Sequence, residues 1–214
     1  MSDIVLEQNA KTRVRRLPER GHYDLQTIHA ILDEALICHV GFVVDGHPVV
    51  IPTIHTRIGD ALYFHGSPAA GMLRSLKDGA DACVTVTLLD GLVLARSAFH
   101  HSMNYRSAVV FGRAEEVTDR QEKLRVLAAI VEHVCRGRSA DVRGPNEIEL
   151  KQTIVLRLPI SEASAKVRTG GPKDDAEDYA LPIWAGVLPL TLMPGTPVPD
   201  NSLATPEYVV RYRR

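Results

Sequence analysis

Two stretches of the chain gather residue types that can do chemistry. The first, "YFHGSPAAGMLRSL" over residues 63–76, runs from strand-forming residues through His65-Gly66-Ser67-Pro68 into a helical pattern. Ser67 has the right side chain for a helix N-cap, Pro68 suits a first helical turn, and Gly66 lets another group approach the backbone closely. A strand delivering free amides to a helix start makes an anion site, most often for phosphate; the plainer reading is a well-capped helix. The second, "ARSAFHHSMNYRS", sets Arg96, Ser97, His100, His101, Ser102, Asn104, Tyr105, Arg106 and Ser107 within twelve residues, between two apolar runs. Convergent hydrogen-bonding groups at strand ends mark a pocket for a polar ligand, although any solvated loop is polar too.

The chain has nine histidines, and imidazole serves both as metal ligand and as acid–base group. His100 and His101 are adjacent, so on a strand they point to opposite faces and cannot share one metal. HExxH, GxGxxG, P-loop and GxSxG patterns are all missing, which argues against a helix-borne zinc site, a dinucleotide fold, an NTPase and an α/β-hydrolase. No metal site is assigned. Lys and Arg total 25 against 26 Asp and Glu, a formal net charge of −1; this gives no pull toward nucleic acid or an anionic membrane. No apolar run approaches a membrane span, and the polar first residues lack a signal-peptide core. Cys38, Cys83 and Cys135 are scattered without CxxC spacing, as reduced thiols in a cytoplasmic protein would be.

These groups need a frame. Residues 1–24 read as an arm carrying Arg13, Arg15, Arg16 and Arg20. "DLQTIHAILDEALI" predicts a helix capped by Asp24, with Leu25, Ile28, Ile31, Leu32, Ala35 and Leu36 on one side. Asp45-Gly46 and Gly59-Asp60 punctuate consecutive antiparallel hairpins. The helix from Ser67 should stop near Asp78-Gly79. "ADACVTVTLLDGLVLARS" then predicts a long strand buried on both faces, and "YRSAVVFGRAEEV" a further strand. An amphipathic helix over Asp119–Cys135 turns Leu124, Leu127, Ala128, Ile130, Val131 and Val134 toward the core. A last strand lies near "QTIVLRLPI", and the Gly- and Pro-rich tail drapes over a surface. Six or so strands with three peripheral helices predict a mainly β, antiparallel barrel. The predicted division is an arm (1–24), one barrel domain (25–190) and a tail (191–214).

With "PVVIPTIH", "LYFHGS", "CVTVTLLDGLVLARSAFHHSMNYRSAVVFGRA" and "KVRTGGPKDDAEDYALPIWAGVLPL" in this order, the chain resembles the pyridoxamine 5′-phosphate oxidase-like flavoproteins. Within them it is similar to the branch that includes the 5-nitroimidazole-resistance reductases. The resemblance implies a six-stranded FMN-binding split barrel and a homodimer with flavins at the subunit interface, acting on a small molecule such as a nitro compound. It implies Val50, Ile51, Pro52 and Thr53 along the isoalloxazine, with His65, Gly66 and Ser67 by the ribityl chain and phosphate. Asn104, Tyr105, Arg106 and Ser107 would lie in the flavin site, Trp184 would close it, and His65 would be the catalytic proton donor. Relatives carry a cation after the phosphate loop where this chain has Ala70, Gly71 and Met72, leaving Arg74 as the nearest; Gly71 is expected to widen the site so that FAD could replace FMN. The Arg-x-His pair of the true oxidase is missing from the C-terminal "ATPEYVVRYRR", which argues against pyridoxamine phosphate oxidation. Two rival readings remain: a non-enzymatic flavin carrier or sensor, and a haem-binding barrel using His65, His100 or His101 as axial ligand.

Overall fold

The computed structural model describes residues 4–213. A two-residue strand β1 (Gly21–His22) leads into α1 (Leu25–Glu34), where Asp24 Oδ1 accepts the Thr27 N–H at 2.7 Å, the expected cap. β2 (Ile37–Val44) and β3 (His47–Ile54) form a hairpin whose turn holds Asp45 and Gly46 at φ 50° and 78°. Positive φ at both positions matches the strand twist, and the Asp-Gly pair is what such a turn selects. β4 (Thr56–Ile58) and β5 (Ala61–Gly66) follow, then α2 (Gly71–Lys77), β6 (Asp81–Leu94), β7 (Ser102–Arg113) and β8 (Glu115–Glu116). α3 (Arg120–Val134), α4 (Glu147–Lys151), β9 (Ile154–Pro159), β10 (Glu162–Arg168), β11 (Gly186–Pro189) and α5 (Glu207–Val210) complete the order.

All pairings are antiparallel and fall into two sheets. One runs β1-β10-β7-β6-β2-β3, with β11 also paired to β6; the other runs β4-β5-β9-β8. The fold is the mainly β split barrel expected from the sequence. The expectation of six strands undercounts it: β10 lies beyond the stretch 152–160 read as the last strand, β11 lies within the segment read as a tail, and β1 and β8 are two-residue strands. At Gly91 the β6–β7 register shifts, and an added Cβ there would lie 3.0 Å from the Leu188 carbonyl of β11.

One core joins both sheets: Ile28, Ile31 and Leu32 of α1 pack with Val40, Val84, Val86, Val110, Leu62, Phe64, Leu156 and Leu158. A second cluster lies behind it, where Val126 and Ile130 of α3 meet Ala61, Tyr63 and Val155. The strand buried on both faces is therefore β5, not β6 as expected. α3 covers the outer side of β5, whereas β6 alternates buried Ala82, Val84 and Val86 with half-exposed Cys83 and Thr85. Thr and Cys supply apolar character without guaranteeing a covering layer.

Two other expectations change. Ser67 does not cap α2: the N-cap is Ala70, and Ser67 instead closes a preceding turn in which its carbonyl accepts from Ala70 N–H and its Oγ from Ala69 N–H. Pro68 lies in that turn, which leaves a seven-residue helix beginning at Gly71. On α3 only Ile130 of the six predicted core residues is buried, together with Val126, while Ala128 and Val134 are exposed. Residues 126 and 130 form the i,i+4 stripe that meets β5; Leu124, Leu127, Ala128 and Val131 form the next stripe, which faces a cavity. Among the described residues no helix is long and apolar enough to cross a membrane.

Candidate functional site

Side chains alternate along β5, so His65 shares the face of Ala61 and Tyr63, the face that looks toward α3. The Tyr63 hydroxyl donates to Glu122 Oε1 at 3.2 Å, tying strand and helix together at one end. At the other end the two separate, and His65 lines a cavity of about 310 Å³. Its walls are Leu124, Leu127, Ala128, Ile130 and Val131 of α3 and the crossing segment Ser139–Pro145, with Glu149 and Thr153 at the edge. The crossing segment is pinned by Glu132, which accepts from the N–H groups of Gly137 and Ser139, both at 2.8 Å. Burial pushes the His65 imidazole below its ordinary pKa, and its Nδ1 is sealed from solvent with no hydrogen-bond partner among the described residues. A buried imidazole nitrogen without a partner is uncommon and points to something absent from the polypeptide. Arg143 closes the rim, donating to both oxygens of Glu149 at 2.7 and 2.9 Å and holding that carboxyl down at about 2.

A second region lies on the other sheet. β3 is its edge strand, paired only with β2, so one row of its backbone amides and carbonyls has no strand partner. Pro48 and Pro52 suit such an edge, having no N–H to donate. Val50 is 61% exposed, with Ile51 and Ile54 also open. Exposed apolar residues on an unpaired edge invite a covering partner.

The structure separates the residues that the resemblance grouped. Val50, Ile51, Pro52 and Thr53 sit on the β3 edge, whereas His65 and Gly66 end β5 in the other sheet; the cavity that His65 lines does not include the β3 residues. Ser67 and Arg74 are exposed around α2. Gly71 is exposed as well, and a Cβ there would meet nothing within 4 Å among the described residues.

The β6–β7 end is bound up internally. Arg106 forks between Glu34 and Asp90, reaching Asp90 Oδ1 at 2.7 Å and Glu34 Oε1 at 2.8 Å. Asn104 donates to the Gly170 carbonyl and accepts from Arg168, and Ser107 Oγ donates to the Lys166 carbonyl at 3.3 Å. Tyr105 is half-buried between Leu89 and Arg168 in the ladder. His101 Nδ1 lies 3.0 Å from the Ser97 carbonyl; His100 Nε2 lies 3.2 Å from Asp175 Oδ2 but is buried without a hydrogen bond among the described residues. Trp184 is 68% exposed, its ring against Gly186.

Sequence reasoning missed the crossing segment Ser139–Pro145 and Asp174. Asp174 accepts from the backbone N–H of Arg96 and Ser97 and from the Arg96 guanidinium. An apolar face on α3 wider than one strand can cover was the available signal for the cavity. Among the described residues no group of three or more His, Cys, Asp or Glu could hold a metal ion by itself.

A model of the family described as pyridoxamine 5′-phosphate oxidase matches residues 24–167. The chain belongs to that family. Among solved structures, this member is similar to the flavocytochrome Anf3 from Azotobacter vinelandii, at 42% identity over 96% of this chain and 97% of that one, with a TM-score of 0.87. It is likewise similar to the FAD and heme binding protein from Mycobacterium smegmatis, 38% identical over 89% and 96% of the two chains, TM-score 0.85. A candidate 5-nitroimidazole antibiotic resistance protein from Bacteroides thetaiotaomicron is 28% identical over 69% of this chain and 86% of that one, TM-score 0.59. Among the curated proteins none matches.

Proposed function

We propose that this family member is a homodimeric oxidoreductase that holds both a flavin, FAD in our reading, and a haem. The observation that carries the reading is the unpartnered, buried Nδ1 of His65 at the wall of an apolar cavity. The residues fit a haem: one imidazole kept neutral by burial, aliphatic walls from α3, and Arg143 at the rim. Two relatives, each matched over nearly its full length, support it by name, one a flavocytochrome and the other a protein binding FAD and heme. The β3 edge fits a flavin, because its free backbone groups can satisfy the polar edge of an isoalloxazine while Val50 and Ile51 cover its apolar part. A second copy of the chain laid on that edge would remove the exposed apolar surface.

When bound, flavin supplies hydride and single-electron chemistry and haem supplies single-electron chemistry. The chain's own work is positional. Tyr63 and Glu122 fix β5 against α3 and so aim His65; Leu124, Leu127 and Val131 keep water away; Glu132 holds the crossing segment over the cavity.

The test is the visible spectrum of the purified protein with mass spectrometry of the released cofactors. The reading expects flavin bands together with a Soret band, and His65→Ala is expected to remove the Soret band while flavin is retained. A wild-type protein that carries flavin alone and takes up no added haemin would overturn the haem assignment.

A further inference from the structure

Arg168, the last residue of β10, is only 6% exposed. Its guanidinium donates to Asn104 Oδ1 at 2.5 Å and to the carbonyls of Gly170 and Gly171, each at 3.3 Å. All three acceptors are neutral. A buried cation normally has an anion beside it, because removal from water penalises the charged form heavily. Among the described residues no carboxylate lies within ion-pair distance of Arg168, nor of Arg20 or Lys173.

These three cations share one cavity. It measures about 360 Å³ and is lined by Glu19, Arg20, His22, Val167, Arg168, Thr169 and Lys173. Three permanent positive charges thus face a single carboxylate, the exposed Glu19, and His22 is turned toward Asp24 at 3.9 Å. The cations come from three separate segments: the arm, the end of β10 and the loop beyond it. We infer that this cavity is a binding site for a phosphorylated small molecule, held by Arg168 at its floor and by Arg20 and Lys173 at its rim. A tetrahedral phosphate offers acceptor oxygens on several sides, as cations converging from different directions require, whereas a planar carboxylate offers two in one plane. The site is separate from the flavin edge, since β10 and β3 stand four strands apart in the same sheet.

The test is isothermal titration calorimetry of the full-length protein, with its cofactors, against pyrophosphate, inorganic phosphate and succinate at low ionic strength. One saturable site for pyrophosphate is expected, with inorganic phosphate weaker and succinate at least tenfold weaker. Lys173→Ala and Arg20→Ala, both at the rim, should each weaken pyrophosphate about tenfold, whereas Arg120→Ala on α3 should not. Arg168→Gln should abolish binding; because it could also unfold the loop, the two rim variants decide the matter. No saturable heat in the wild-type protein, succinate binding as tightly as pyrophosphate, or rim variants that leave affinity unchanged would each overturn the site. Rim variants that lose flavin in parallel with pyrophosphate would show the cations serving the flavin instead, and would equally overturn a separate site.

Discussion

Burial disfavours a charged imidazole, so folding holds His65 neutral while the unfolded chain takes up a proton near the ordinary value of 6.5. The unfolded state therefore binds more protons on the acid side, and stability falls as pH drops through that value. Between pH 7 and 5.5 the urea midpoint should fall, and fall less in His65→Gln; equal slopes would place the titration on another group. Asp24 tests a different kind of contact. Asp24→Ala removes the acceptor of the Thr27 N–H and should lower stability by about 1 kcal/mol in denaturant unfolding. Asp24 was legible as a cap because capping needs only a side-chain type next to a periodic run. Ser67 has an equally good side chain, yet Pro68 and Ala69 turn the chain once more before α2 can start, so the cap falls to Ala70.

Strands and helices show where pattern alone runs out. β5 puts Leu62 and Phe64 into the main core and Ala61 and Tyr63 against α3, so Phe64→Ala should cost about 3–5 kcal/mol in urea unfolding. β3 carries the opposite expectation. Val49 packs against the main core, but Val50 is 61% exposed and stabilises none, so Val50→Asp should leave the folding midpoint of a dilute sample nearly unchanged. In the dimer reading the same substitution should shift sedimentation from dimer to monomer and lower flavin content. A Val50→Asp protein that sediments as a dimer with full flavin would remove β3 from the interface. The sequence shows both strands as apolar runs and cannot say which one is covered, because that depends on where α3 returns.

At the scale of the whole molecule, two antiparallel sheets share one core, and the outer face of the larger sheet remains half open. If a second copy covers it, association stabilises the folded state by mass action, and the thermal midpoint should rise with protein concentration. A midpoint constant over a hundredfold range of concentration would contradict the dimer.

The mainly β class, the Asp45-Gly46 hairpin and the helix from Arg120 to Val134 were readable from local chemistry, turn conformations and hydrophobic period, whereas the family was legible only through the resemblance of whole motifs in their order. His65 was readable too, as a residue type at the end of a strand. Only the tertiary structure decided that its ring faces an apolar cavity under α3 rather than the β3 edge, and that its Nδ1 finds no partner among the described residues. It alone brought Arg20, Arg168 and Lys173 around one space. Such meetings join segments far apart in sequence, and long-range packing is where local pattern carries no information about partners.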